Sequence, residues 1–181
     1  MSEQKIDRPA LLQLLRESFQ KIQAHLQDYD AAQLFELEQA DKWSAAGHLQ
    51  HLIQSNASIA SEFKEPKNRL SAFGKPAQPE TNYQALRARY TKGVVGVKAP
   101  ASLQPQLTPA ATIEPLFQNW QMILHKFEQR LANWTEEELD QYTIPHPFLG
   151  ALSARQMLYF ALFHNEHHLN SIRRIQAKQQ A

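Results

Sequence analysis

Phe163-His164-Asn165-Glu166-His167-His168-Leu169 lies near the end of the chain and holds three of its eight histidines. It falls within the last helical pattern, predicted over residues 153 to about 178. Successive helical residues turn by about 100°, so residues four apart lie roughly 40° apart on one face. His164 and His168 are therefore stacked one turn apart. The apolar stripe of the same helix reads Met157, Ala161, Ile172 and Ile175, and its spacings of three and four put both histidines in that stripe. Two imidazoles on a core-facing surface need partners, because a buried polar group without one is destabilising. A lone core histidine usually finds backbone or a carboxylate. A pair at this spacing is also a common way for a helix to present two metal ligands. His167 lies about 60° to the other flank of His164 and is the weaker candidate, either exposed or supporting.

Upstream of this helix, further amphipathic patterns complete an all-α reading. Asp7 caps a first helix that opens with Arg8 and Pro9 and buries Leu11, Leu12, Leu15, Phe19, Ile22 and Leu26. It ends near residues 28–30, and a turn of helix follows around residues 31–37. Ser44 is a good N-cap for the next long helix, with Trp43 placed as a hydrophobic staple. That helix runs to about Phe63 and buries Leu49, Leu52, Ile59 and Phe63, with His51 at one edge of the stripe and His48 nearer its middle. The clearest helix is capped at Thr112 or a neighbour. In it Ile113, Leu116, Phe117, Trp120, Ile123, Leu124, Phe127, Leu131 and Trp134 recur with a period near 3.5. Thr135-Glu136-Glu137-Glu138 reads as a capping signal for a short helix to about Gln141. Residues 143–152 contain Pro145, Pro147 and Gly150 and read as an ordered turn, and no strand pattern is evident.

Between the second and third long helices, residues 64–109 hold six prolines and three glycines. A helical piece is predicted from Tyr83 to about Lys92. A stretch this long is not an inert loop in a compact domain. Neither side of it reads as a complete core alone, so one domain over residues 1–181 is expected. Four long amphipathic helices imply a four-helix bundle. Net charge is +1 with a pI near 8.0, which gives no reason to expect a nucleic-acid or membrane-surface partner. The chain has no cysteine, which removes disulfides, cysteine metal ligands and a cysteine nucleophile. With no apolar signal core at the N-terminus, a soluble cytoplasmic protein is expected.

Two motifs in order, Trp43-Ser44 with His51-Leu52 and His164-x-x-x-His168-Leu169, resemble the DinB/YfiT-like superfamily of bacterial metal-binding bundles. The stretch from His146 to Ser153, reading His-Pro-Phe-Leu-Gly-Ala-Leu-Ser, resembles the turn that leads into that family's last helix. The match covers nearly the whole chain, from the first helix to Ile175. It implies a four-helix bundle in an up-down-down-up arrangement, with residues 64–109 as the long irregular crossover between the second and third helices. It also implies a divalent metal, nickel or zinc, held by His51, His164 and His168 and completed by water. His48 is the rival for the third position. His48 and His51 stand about 60° apart, so one geometry would rarely use both.

A three-histidine set with an open position is the pattern of catalytic metal sites. The family includes thiol-dependent S-transferases and isomerases, proposed hydrolases, and members with no known activity. The resemblance therefore implies a metal-dependent transferase or hydrolase acting on a small molecule, a low-molecular-weight thiol being one class. The alternative is a non-catalytic or stress-associated metal-binding module, and the third reading is a bundle whose histidines are only core residues. Glu166 faces away from the histidine pair and reads as a surface charge, so no general base is named. Trp43, Trp120 and Trp134 read as core or staple residues, and His146 as a surface turn residue or a wall of the site mouth. A homodimer is also expected, its partner covering apolar surface that includes Phe73, Val94, Val95, Val97 and Leu103. The competing arrangement folds residues 64–109 back over their own bundle as a lid.

Overall fold

The computed structural model describes residues 5–37, 39, 42–64, 66–78, 82–93, 98–107 and 112–179. Val94, Val95 and Val97 lie outside the described residues. The helices are α1 (Arg8–Gln27), α2 (Ala31–Phe35), α3 (Ala45–Glu62), α4 (Tyr83–Gly93), α5 (Glu114–Leu131), α6 (Glu136–Gln141) and α7 (Ala154–Gln179). Strands β1 (Thr143–His146) and β2 (Gly150–Ser153) form an antiparallel hairpin between α6 and α7. Short 3-10 helices occupy Lys67–Phe73 and Ala101–Leu103. No helix among the described residues is long and apolar enough to cross a membrane.

Local chemistry sets these boundaries. Asp7 accepts the Ala10 amide at 2.8 Å, and Ser44 accepts the Gly47 amide at 3.1 Å, each satisfying an otherwise unpaired helix N–H. Asp30 with Gln33, and Thr135 with Glu138, form reciprocal capping boxes. Ser153 and Gln156 do the same for α7, through bonds of 2.9 and 3.1 Å. Thr112 does not cap α5; its N-cap is the neighbouring Ile113, which makes no side-chain cap bond, and proline stands in the first turn.

The hairpin is the main departure from the sequence reading. Only four residues pair on each side, and Pro145 and Pro147 break any alternation long enough to read as a strand. The connection closes through Gly150, whose φ of +78° is unstrained only for glycine.

Helices α1, α3, α5 and α7 form the bundle, with α1 and α3 each packed against both α5 and α7. Their shared core includes Leu11, Leu15, Phe19, Ile22, Leu49, Leu52, Phe127 and Leu158. Phe19 and Trp120 stack with centroids 3.8 Å apart, and Trp120 and Trp134 donate their indole N–H groups to the Phe19 and Phe63 carbonyls. Burying these large side chains supplies most of the driving force, and the indole bonds avoid the penalty of a dry N–H.

Helix α7 is buried on every face from Ala154 to Asn165. A helix buried all round must be covered all round, and α4, α6 and the hairpin supply the cover that the bundle does not. The described parts of the connection between α3 and α5 thus pack on their own bundle. Ala77 N–H donates to the Ala151 carbonyl at the hairpin edge, and Gln156 reaches the Gln78 carbonyl. At the other end of the connection, Pro105 lies against Gly47. A Cβ on Gly47 would meet Trp43 Cβ at 3.2 Å, so glycine there lets Trp43 sit close over the first turn of α3.

Candidate metal centre

The first two turns of α3 carry His48 and His51, and the middle of α7 carries His164 and His168. All four are buried. Packing α3 on α7 brings three Nε2 atoms to one place. His164 Nε2 lies 3.2 Å from His51 Nε2 and 3.1 Å from His168 Nε2. The three ligand atoms are all within 4.8 Å of one another.

The surrounding groups set the tautomers. His51 Nδ1 is 2.7 Å from the Leu103 carbonyl, which can only accept, so Nδ1 carries the proton and Nε2 the lone pair. His168 Nδ1 is 2.8 Å from His48 Nδ1. Donation from His168 leaves the His168 lone pair on Nε2 as well. His164 Nδ1 is buried without a partner. Three imidazoles cannot all satisfy one another through a shared cluster of Nε2 atoms, because at least one lone pair there stays unpaired. A divalent cation resolves this. Nitrogen–zinc bonds of about 2.0–2.1 Å in tetrahedral geometry separate ligand nitrogens by about 3.3 Å, close to the two spacings found. The donor set therefore fits a divalent metal with one open coordination position.

Electrostatics favour the ligating form. Burial lowers the pKa of His51 below the ordinary histidine value, partly offset by the bond to Leu103. Burial, then the neighbouring imidazoles, hold His164 and His168 well below it. All three are neutral at neutral pH, as metal binding requires.

Aromatic rings pack around the cluster. Phe160 stacks on His164 at 5.0 Å. Trp43 lies 4.9 Å from the His51 ring, 5.4 Å from His48 and 6.1 Å from His168. Trp43, expected as a core or staple residue, meets its own helix at His48 and His51 as a staple does, but it is only half-buried and also forms a wall of the site, whereas Trp120 and Trp134 are core residues. The cluster opens into a cavity of about 470 Å³, whose walls also include Tyr90, Met157, Phe148 and the segment Lys98–Pro100 with Leu103.

The remaining sequence candidates separate clearly. His48 sits behind His168, bonded to it, rather than in the Nε2 cluster. His167 is exposed, with its ring at the cavity edge near Tyr90. Glu166 pairs with Arg87 at 2.9 Å and does not line the cavity. His146 does line it.

Sequence reasoning missed the Leu103 carbonyl and the Asn56–Asn165 bridge of 2.9 Å beside the site. No side-chain signal marks a backbone carbonyl. Asn165 did leave one, because residues 161, 165, 168 and 172 share the buried stripe of α7.

Comparison with known proteins adds the family. The family model described as the DinB superfamily matches residues 14–172. Among solved structures, YfiT from Bacillus subtilis, described as "a probable metal-dependent hydrolase with an unusual four-helix bundle topology", is similar at a TM-score of 0.67. That match has 16% identity over 99% of this chain and 91% of YfiT. The four-helix bundle protein TT2238 aligns at a TM-score of 0.60 and 18% identity, over 92% of this chain and 98% of that one. No curated protein matches the chain.

Proposed function

The chain belongs to the DinB superfamily, and from that premise we propose that it is a metal-dependent enzyme acting on a small molecule. His51, His164 and His168 would hold a divalent ion, zinc or nickel, on the cavity floor. When bound, the ion would supply Lewis acidity, activating water for hydrolysis or a thiol for S-transfer. The observation that carries this reading is the convergence of three buried, neutral imidazole nitrogens at the base of an aromatic-walled cavity. The Leu103 carbonyl orients His51, and His48 orients His168, as supporting groups orient ligands in metal sites. Trp43 and Phe160 flank the cluster and exclude water from two sides. The description of YfiT as a probable hydrolase supports the hydrolytic branch.

A non-catalytic metal-binding module is the second reading. It is favoured by the carboxylates: Glu62 is the single one lining the cavity among the described residues, and it is paired with Arg69 at 2.8 Å. Among the described residues, no unpaired carboxylate therefore faces the cluster. Zinc- and nickel-loaded protein should be screened against simple esters and amides, and against low-molecular-weight thiols with electrophiles. Turnover that a chelator abolishes supports the enzyme. Inactivity in both screens with metal bound favours the module.

We propose further that one domain spans the chain and that its long helices run up-down-down-up. In support, Arg8 at the start of α1 donates to carbonyls of Leu131, Ala132 and Trp134 at the end of α5. Trp134 in turn meets Phe63 at the end of α3, and Tyr29 beyond α1 meets Ile172 late in α7.

A further inference from the structure

His146 ends β1 opposite Gly150, and the turn between them folds back onto its ring. The Phe148 and Leu149 amides approach His146 Nδ1 at 3.2 and 3.1 Å. An amide N–H can only donate, so Nδ1 must hold its lone pair and the neutral ring must carry its proton on Nε2. The turn that does this is itself held from outside, by the Arg89 guanidinium donating to the Leu149 carbonyl. His146 Nε2 makes no hydrogen bond among the described residues, and it is not one of the buried unpaired atoms. It is a donor with a fixed proton and no acceptor among the described residues.

Its position gives that donor a use. His146 lines the cavity, packed edge-on against Phe160 at 4.3 Å, and Phe160 stacks on His164. One aromatic ring separates it from the histidine cluster. Its charge state is also fixed: burial, and then Arg89, lower its pKa to about 4, so the ring stays neutral at physiological pH. Among the described residues, the ordinarily charged side chains lining the cavity are Lys42 and Lys98, both exposed, and Glu62, which is already paired with Arg69.

We propose that His146 is a substrate-binding residue, whose Nε2–H donates a hydrogen bond to a carbonyl or carboxylate oxygen of the small molecule bound above the three-histidine cluster. The proposal rests on the reading of this cavity as the substrate site of a metal centre. It makes the substrate an oxygen acceptor, seated between the aromatic walls.

Two substitutions divide the two ring nitrogens. In His146→Asn the side-chain oxygen replaces Nδ1 and keeps the turn, but nothing replaces Nε2. In His146→Gln the amide reaches the Nε2 position and restores a donor. The probe is phenylacetate, a carboxylate carrying an aromatic ring, titrated calorimetrically into zinc-loaded protein. His146→Asn should weaken binding about tenfold or more, as loss of a hydrogen bond to a charged acceptor does. His146→Gln should recover most of it, with zinc content unchanged in both and the melting temperature unchanged in His146→Asn, which keeps the acceptor for the turn amides. Long-range proton–nitrogen NMR should show the Nε2–H tautomer of His146 with and without zinc. Undiminished binding in His146→Asn, an Nδ1–H tautomer, or no phenylacetate binding to wild type at millimolar concentration would overturn the proposal. So would zinc loss in His146→Asn. Wild type that takes up no zinc sinks the metal reading instead, and the same titration on the zinc-free protein then decides for or against His146.

Discussion

Replacing Asn165 with leucine tests what fixes α3 against α7. Asn165 is fully buried, one residue beyond His164. Its side-chain oxygen accepts from Asn56 Nδ2 at 2.9 Å, and its amide donates to Ser18 Oγ at 3.1 Å. It therefore ties α7 to α3 on one side and to α1 on the other. Leucine keeps the volume and removes both bonds. Each lost bond is worth about 0.5–1.5 kcal/mol, and the one Asn56 N–H that loses its acceptor, the other still donating to the Leu52 carbonyl, adds about 1 kcal/mol of desolvation, so the total is about 2–4 kcal/mol. For a chain of this size each kcal/mol shifts the melting temperature by about 2–4 °C, giving a fall of about 5–15 °C. The assay is thermal unfolding with excess chelator, so that metal linkage does not mask the change. Zinc affinity should weaken as well, because the bridge sets the register that brings His51 to His164. A melting temperature within about 1 °C of wild type would refute the reasoning, leaving apolar packing alone to align the helices.

The pH dependence follows from the buried histidines. Their folded pKa values lie below about 6.5, so in that window the unfolded chain binds more protons than the folded one. Stability of the metal-free protein is then fully present above about 6.5 and is lost as the pH falls, for His146 through about 4. Urea midpoints at a series of pH values check this, and a flat profile below pH 6.5 contradicts it. Metal should leave over the same acid range, because protons compete for the same nitrogens. His48→Ala should weaken zinc binding by about 10–100-fold while leaving one ion per chain at saturation, as loss of a supporting group does. Complete loss of zinc there would make His48 a ligand. Light scattering after size exclusion tests the expected homodimer. A mass near 20.8 kDa at all concentrations would show that the connection, whose described parts already pack on their own bundle, covers enough surface alone.

The helices were legible because each carries its own signal. Asp7, Ser44 and Thr135 cap where they stand, and the stripes of α1 and α5 bury at their own period. The His164–His168 pair was legible for the same reason, being local to one helix. His51 needed the family resemblance, because nothing in its own helix says which imidazole faces α7. The hairpin was not legible, since its pairing depends on a turn closed by Gly150 and held by Arg89 from a distant segment. Trp43 was legible in part. The staple position predicts contact with its own helix, and its ring meets His48 and His51 there, but it also meets His168, 125 positions later. The cavity walls were the least legible part, because Lys98, Pro100 and Leu103 come from a stretch without periodicity.

The metal content of untagged protein, purified without chelator, tests the central claim most directly. Elemental analysis should find about one zinc or nickel ion per chain, and His51→Ala, His164→Ala and His168→Ala should each lower it sharply while the helical content stays. Full occupancy in His164→Ala or His168→Ala, or wild-type protein that takes up no divalent ion when one is supplied, would contradict the account.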